Sequence, residues 1–396
     1  MDLGGVRVYF GPCGIGLGHV GRVIPVAEEV QRRGAEVLFS TYLEAVDFVK
    51  RRGLPVVRSP ALSFESDKTG RIDLRASAIN QGVPALNRFR EQVSAEMDYM
   101  KAFKPDIVVS DTRLSTVIAG KLLRLPVALM LNQFLPMVPR ENEYQTLMKL
   151  VDGSILTLMG SSWGASDVIL IPDFPDPYTI SVDSLRIPTM YQDLVRFVGF
   201  ILPQKPGDML DTGRVREESY ASEGDKIIYA AISGPSMERE PLLDLLSPLF
   251  RDLPDGLRVV MSKGQPDGGS KPLHDGTLTT IPWVKDRYEY LNACDLVVSR
   301  GGHNTIMQSV CYGKPSIIIP TPNHTEQYAN ARRAMELGLA EALHQHEVNR
   351  DTLVDTAGKL LMNPSYRLRM NELNRLGMSN GIENIINEIE VLLEEQ

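Results

Sequence analysis

Two groups of residues in this chain have types and spacings that could do chemistry. The first is Ser299-Arg-Gly-Gly-His-Asn-Thr-Ile-Met-Gln-Ser309, followed by Gly313-Lys-Pro315 and Glu326-Gln-Tyr-Ala-Asn330. Asp295-Leu-Val-Val-Ser299 reads as a strand, and Gly301-Gly302 lets the backbone turn sharply and come close to a ligand. Asn304 and Thr305 suit the first residues of a helix. A helix start after a glycine turn presents backbone N–H groups to phosphate. The second group is Gly14-Ile-Gly-Leu-Gly-His19. Its glycines alternate and end in histidine, unlike a dinucleotide fingerprint, and Ser40-Thr41 stands where an NAD-binding acid is expected. A histidine at a helix start suits proton removal from an alcohol near neutral pH. It needs a partner to set its tautomer. Asp111, at the end of Val108-Val-Ser-Asp111, is the candidate; its other reading is a cap for the helix near Ser115.

The surrounding pattern supplies elements to hold these residues. Val6–Phe10 reads as a buried strand, Gly11–Gly18 as a loop, residues 20–33 as a helix ended by Gly34, and Ala35–Ser40 as the next strand. This is a β-loop-α-β unit of the doubly wound kind. Strands at 104–111, 126–131 and 168–172 and a helix at 115–123 follow. Proline and glycine thicken between Ile187 and Gly213, and a linker is expected at 198–207. The pattern then restarts, with strands at 226–232, 258–262, 279–283, 296–299 and 316–320 and helices at 241–250 and 288–293. The expected fold is therefore α/β, with two Rossmann-like domains facing a cleft. The boundaries are 1–197 for the first domain, 208–375 for the second and 376–396 for a terminal helix expected to pack back toward the first. Ser233-Gly234-Pro235-Ser236 and Gly301-Gly302 follow two strands of the second domain. Their amides, with the hydroxyls of Ser236 and Thr305 and the charge of Arg300, could share a diphosphate.

Composition narrows the classes. The 396 residues exceed one typical core, and 43% hydrophobic with 23% charged residues is ordinary for a soluble protein. The formal charge, 42 − 50 = −8, argues against a nucleic-acid partner. No apolar run has the length of a bilayer span, and the start lacks a signal peptide's apolar core. Cys13, Cys294 and Cys311 have no metal-like spacing, which suits a reducing cytoplasm.

The order Trp283-Val284, Ser299–Ser309, Gly313-Lys-Pro315, Glu326-Gln327 and Asn330 resembles the nucleotide-sugar site of GT-B glycosyltransferases. Both the UDP-glycosyltransferase family and the peptidoglycan N-acetylglucosaminyltransferase (MurG type) have it. The resemblance implies that Trp283 and the Val284 backbone meet the uracil. It implies that Arg300, Gly301, Gly302, His303, Asn304 and Thr305 form the turn and helix start that hold the diphosphate, and that Glu326 and Gln327 bind sugar hydroxyls. Within that segment His303 falls at a variable position and reads as a surface or loop histidine. Gln308 stands where a ribose-binding glutamate is usual, so the ribose contact is uncharged here. Gly14, Gly16, Gly18 and His19 match the acceptor-side loop, and the pairing with Asp111 looks more like the UDP-glycosyltransferases.

The implied reaction is inverting transfer of a sugar, UDP-N-acetylglucosamine or UDP-glucose being the expected donor, with His19 as base. The sequence has no Asp-x-Asp pair, so no metal or other cofactor is expected. A UDP-N-acetylglucosamine 2-epimerase shares the architecture but needs more acids around the sugar. A non-catalytic partner subunit is a third reading, to which Gln308 lends support. The acceptor is expected on the first domain, where residues 61–100 carry Phe64, Ile72, Leu74, Ile79, Leu86 and Phe89. This stretch is read as a helix on the domain core, an acceptor groove or a membrane contact. Arg32-Arg33 and Lys50-Arg51-Arg52 could meet anionic lipid at the inner face of a membrane. The expected acceptor is a small molecule or a lipid-linked glycan.

Overall fold

A computed structural model describes residues 3–15, 17–61, 74–134, 160–208, 213–265, 268–377 and 380–395, the side chains of 74–85 excepted. The chain divides into two compact units. The first comprises Met1–Pro175, Ser184–Pro203 and Asn380–Gln396, the second Asp176–Asp183 and Gln204–Ser379.

The first unit is built on a seven-stranded sheet in the order β3-β2-β1-β4-β5-β6-β7. The strands are β1 (Arg7–Pro12), β2 (Glu36–Thr41), β3 (Val56–Arg58), β4 (Ile107–Asp111), β5 (Val127–Met130), β6 (Val168–Ile171) and β7 (Val195–Phe197). All pair in parallel. A parallel sheet is covered on both faces, which explains strands that are apolar at every position, such as Val8-Tyr9-Phe10. Phe10 and Val109 point toward α1 (Gly18–Arg32). Tyr9 and Val108 point the other way, toward α3 (Leu74–Phe103) and α4 (Leu114–Leu122). Between β2 and β3 lies α2 (Glu44–Arg51).

The second unit has its own seven-stranded sheet, ordered β10-β11-β9-β8-β12-β13-β14. Its strands are β8 (Lys226–Ala231), β9 (Leu257–Ser262), β10 (Leu273–Asp275), β11 (Leu278–Ile281), β12 (Leu296–Ser299), β13 (Ser316–Ile318) and β14 (Ala340–Ala342). Only the β10–β11 hairpin is antiparallel. The helices that matter below are α5 (Ser236–Arg251), α6 (Arg287–Ala293), α7 (His303–Cys311) and α8 (Thr325–Glu336).

The C-terminal helix α9 (Gly381–Glu394) belongs to the first unit, as expected. Ile385, Ile386 and Ile389 are fully buried in the core that α1 covers. Burial of each isoleucine contributes about 2 kcal/mol. Arg33 adds ion pairs to Glu383 and Glu390.

Two boundaries differ from the expected ones. Val198, Phe200, Ile201 and Leu202 are buried at 2–3% exposure with the first unit, so the linker expected at 198–207 is packed chain up to Pro203. Its glycine and proline mark turns, while the apolar residues between them fill core. Asp176–Asp183 lies in the second unit, where Arg333 Nε donates to Thr179 O at 3.0 Å.

Candidate active site

In the first unit, the ends of β1 and β4 and the start of α1 converge. Cys13 N donates to Asp111 O at 2.9 Å, which fixes the loop after β1 beside the end of β4. Gly14 lets the same loop pack against the chain after β2, where a Cβ would meet the Tyr42 carbonyl oxygen at 2.3 Å. His19 sits in the first turn of α1, which starts at Gly18, two residues before the expected start. Its Nδ1 lies 2.9 Å from Asp111 Oδ1. Arg22, one helical turn on, donates from Nε to Asp111 Oδ2 and from Nη2 to Oδ1, each at 2.5 Å. Thr112 Oγ1 adds a bond to Oδ1 at 3.0 Å.

Asp111 is fully buried, while the His19 side chain is 26% exposed. Burial would raise the carboxyl of Asp111, but Arg22 and then His19 outweigh it and hold it down at about 2. An ionised Asp111 only accepts, so in its contact with His19 it is Nδ1 that carries the hydrogen, which leaves the Nε2 lone pair able to accept a proton. Thr112, next in the chain, has φ +51°, an unusual conformation for a residue with a side chain, of the kind that clusters at functional sites. Asp111 does not cap α4, whose first flanking residue is Arg113 with no side-chain cap.

Beneath this cluster lies a second buried network. Glu96 on α3 accepts from Arg113 at 2.5 Å, from Ser40 and Ser59 at 2.7 Å each, and from Tyr9 OH at 2.7 Å. Arg113 also donates to the Ser40 carbonyl at 2.7 Å. These bonds tie the turn after Asp111 to β1, β2 and α3.

In the second unit, the carboxyl ends of β8 and the neighbouring β12 carry the two glycine loops. Gly234 has φ +114°, and Ser236 is exposed at the start of α5. Arg239 clamps this loop, donating to Gly234 O at 3.1 Å, to Gly264 O at 2.9 Å and to Ser236 Oγ at 3.2 Å. On the β12 side, Gly301 packs directly on α8, where a Cβ would meet Gln327 O at 2.4 Å. Gln327 Oε1 accepts from Gly301 N at 3.3 Å and from Thr321 N at 2.9 Å, and Asn330 Nδ2 donates to Gly301 O at 3.1 Å. Gly302 precedes α7, and Asn304 and Thr305 are half-buried in its first turn. Gln308 is buried, with Nε2 at 3.4 Å from Tyr288 OH. Half-buried Trp283 and buried Val284 follow β11 on the same edge of the sheet. No hydrogen bond or ion pair engages the half-buried Glu326 carboxylate among the described residues.

Residues 263–389 match the Glycosyltransferase family 28 C-terminal domain, and residues 6–150 match Glycosyl transferase family 1. An uncharacterized glycosyltransferase of Methanosarcina acetivorans is 25% identical over 371 residues, covering 92% of each chain. The UDP-N-acetylglucosamine–N-acetylmuramyl-(pentapeptide) pyrophosphoryl-undecaprenol N-acetylglucosamine transferase of Desulforamulus reducens is 25% identical over 246 residues, which cover 57% of this chain and 64% of that one. Among solved structures, the glycotransferase of kitacinnamycin has TM-score 0.67 at 16% identity, covering 98% of both chains, a likeness of fold. The chain is a glycosyltransferase of the GT-B type.

The glycosyltransferase brings His19 and Asp111 into contact, and it gathers Gly234, Ser236, Trp283, Arg300, Gly301, Gly302 and Thr305 on one sheet edge. Several of these residues have surroundings that the sequence did not show. Arg300 is buried and spends its guanidinium on the chain: Nη1 donates to Gln345 Oε1 at 2.7 Å and Ile319 O at 3.2 Å, and Nη2 to Glu238 O. Burial lowers its pKa to about 10. These bonds tie the turn after β12 to the first turn of α5 and to the chain after β13. Gln327 Oε1 likewise holds the glycine turn, so the Gly301 amide is already paired. His303, expected at the surface, is 3% exposed, because the start of α7 is packed into the unit. Arg32 and Arg33 pair with Glu29, and Arg52 pairs with Glu28. Gly16, Phe64, Ile72 and the side chains of Leu74 and Ile79 lie outside the described residues. Gly18 opens α1, while Leu86 is exposed and Phe89 half-buried on α3. Sequence reasoning missed Arg22, Arg113 and Glu96. Only the His-x-x-Arg spacing on one helix face pointed to Arg22.

No described helix is long and apolar enough to cross a membrane.

Proposed function

We propose that this glycosyltransferase moves a sugar from UDP-N-acetylglucosamine or UDP-glucose to an acceptor hydroxyl, with inversion and without a metal. One observation carries the reading: His19 Nδ1 is held at 2.9 Å by a buried, ionised Asp111, which leaves Nε2 as a base. In the proposed step the acceptor O–H gives its proton to Nε2 as its oxygen bonds the anomeric carbon. The bond from that carbon to the diphosphate oxygen breaks with its electron pair. Asp111 stabilises the imidazolium. The leaving diphosphate gains its stabilisation from the starts of α5 and α7, with the hydroxyls of Ser236 and Thr305. Glu326 is the proposed partner of sugar hydroxyls, and Trp283 with the Val284 backbone the proposed base contact. The buried carboxamide of Gln308 is the proposed ribose contact. The name of the Desulforamulus relative supports a lipid-linked acceptor, and peripheral contact with the inner face of a membrane belongs to the same proposal.

The test is a donor panel of UDP-, dTDP- and GDP-sugars, each offered with polyprenyl-linked and small hydroxyl acceptors. Product is expected from a UDP-sugar, with the anomeric configuration reversed in its proton NMR spectrum and the rate unchanged by EDTA. Retained configuration, or activity abolished by EDTA and restored by a divalent cation, contradicts the proposal. Epimerised donor without an acceptor would favour the epimerase reading.

A further inference from the structure

The Nη1 and Nη2 groups of Arg300 are bonded to the chain, so a bound diphosphate held at the starts of α5 and α7 would gain from another cation. Lys263 follows β9 directly, and its backbone N–H donates to Ile281 O at 2.9 Å. It therefore stands at the same sheet edge as the glycine loops, beside β8, whose Ala231 pairs with Ser262. The loops after β8 and β9 are joined, because Arg239 donates both to Gly234 O and to Gly264 O. Lys263 is thus adjacent in the chain to a clamp that also carries Ser236 and the start of α5. Val259 and Met261 face the core that α5 covers, and Lys263 continues their alternation.

Lys263 is half-buried, and among the described residues no ion pair or hydrogen bond engages its ammonium. Withdrawing an ammonium from water without a counter-charge is costly, and an arriving anion offsets that cost. The N-terminal dipole of α5 has the same sign as the lysine and adds to its attraction for an anion. The acid in the first turn of α5 is Glu238, whose Oε2 accepts from Thr321 Oγ1 at 3.1 Å. Lys285 and Arg287, the cations after β11, lie exposed.

We propose that Lys263 is the cation that holds the diphosphate of the nucleotide donor, the role that residue type alone suggested for Arg300. The inference rests on the donor reading above. Its test is calorimetric titration of the full chain with UDP, dTDP and GDP and with the matching monophosphates. The intact protein is expected to bind a diphosphate more tightly than its monophosphate. Lys263→Met should lose about tenfold in diphosphate affinity and less in monophosphate affinity, and Lys263→Arg should keep most of it. Thermal unfolding of both variants in the absence of nucleotide checks that they fold. If the intact protein binds a diphosphate and Lys263→Met binds it equally well, or loses both nucleotides equally, the inference falls and the donor reading stands. If the intact protein binds none of the three diphosphates, the donor reading falls and takes the inference with it.

Discussion

Arg22 grips both carboxylate oxygens of Asp111, each at 2.5 Å, and the same carboxylate holds His19 at 2.9 Å. The aspartate is thus shared between a permanent cation and the proposed base. Arg22 fixes its direction and keeps it ionised in a buried place, which in turn fixes the His19 tautomer.

This sharing predicts a pH-dependent contribution to stability. Asp111 sits at about 2 in the folded protein, and an unfolded aspartate titrates near ~3.9. Between those values the unfolded chain binds more protons, so stability rises with pH there. The contribution, about 3 kcal/mol, is fully present above the unfolded value and is lost as pH falls toward the folded one. Arg22→Met is expected to lower the unfolding free energy by about 3 kcal/mol near neutral pH. Its gap from the parent should narrow as pH falls from about 4 to about 2. Urea unfolding of the first unit's transition across that range checks this, and a constant gap contradicts it.

Adjacent glycines should behave differently. A Cβ on Gly301 would lie 2.4 Å from a carbonyl oxygen of α8, whereas one on Gly302 meets nothing within 4 Å. Gly301→Ala is expected to cost about 2 kcal/mol or more, since backbone must move. Gly302→Ala should stay within about 0.5 kcal/mol of the parent. Thermal melts of the two variants give the comparison. Equal losses would mean that the turn does not rest on α8 as described.

Arg300 should act as a brace. Arg300→Met strands the carbonyl oxygens of Ile319 and Glu238 and the side-chain oxygen of Gln345. A loss of about 3 kcal/mol is expected from these orphaned acceptors. Arg300→Lys should recover little, because one ammonium cannot span the fork. A variant as stable as the parent but weak in nucleotide binding would return Arg300 to the ligand.

How much of this could be read from the chain depended on where each signal resides. The β-loop-α-β unit was legible because apolar runs, glycine turns and helix periodicity are local. His19 and Asp111 were legible because unusual residue types stood at a helix start and a strand end. Arg22 and Glu96 were not, since a charged residue within a helix ordinarily faces water and its buried partner is distant in the chain. The bracing bonds of Arg300 were not legible for the complementary reason: its partners are mostly backbone carbonyls, which leave no mark in residue identities. Three residues are too few to show a period in β3, β7, β10 and β14, whereas the equally short β13 stood out by its unbroken apolar run Ile317–Ile319.

The central claim is that His19, set by Asp111, is the base for sugar transfer. Its most direct measurement is the release of UDP from the UDP-sugar in the presence of acceptor, by the parent and by His19→Gln, alongside their UDP dissociation constants. The account predicts that kcat falls by about 10²–10⁴-fold in His19→Gln while UDP binding is unchanged. A variant that binds UDP and still turns over at the parent rate would contradict it.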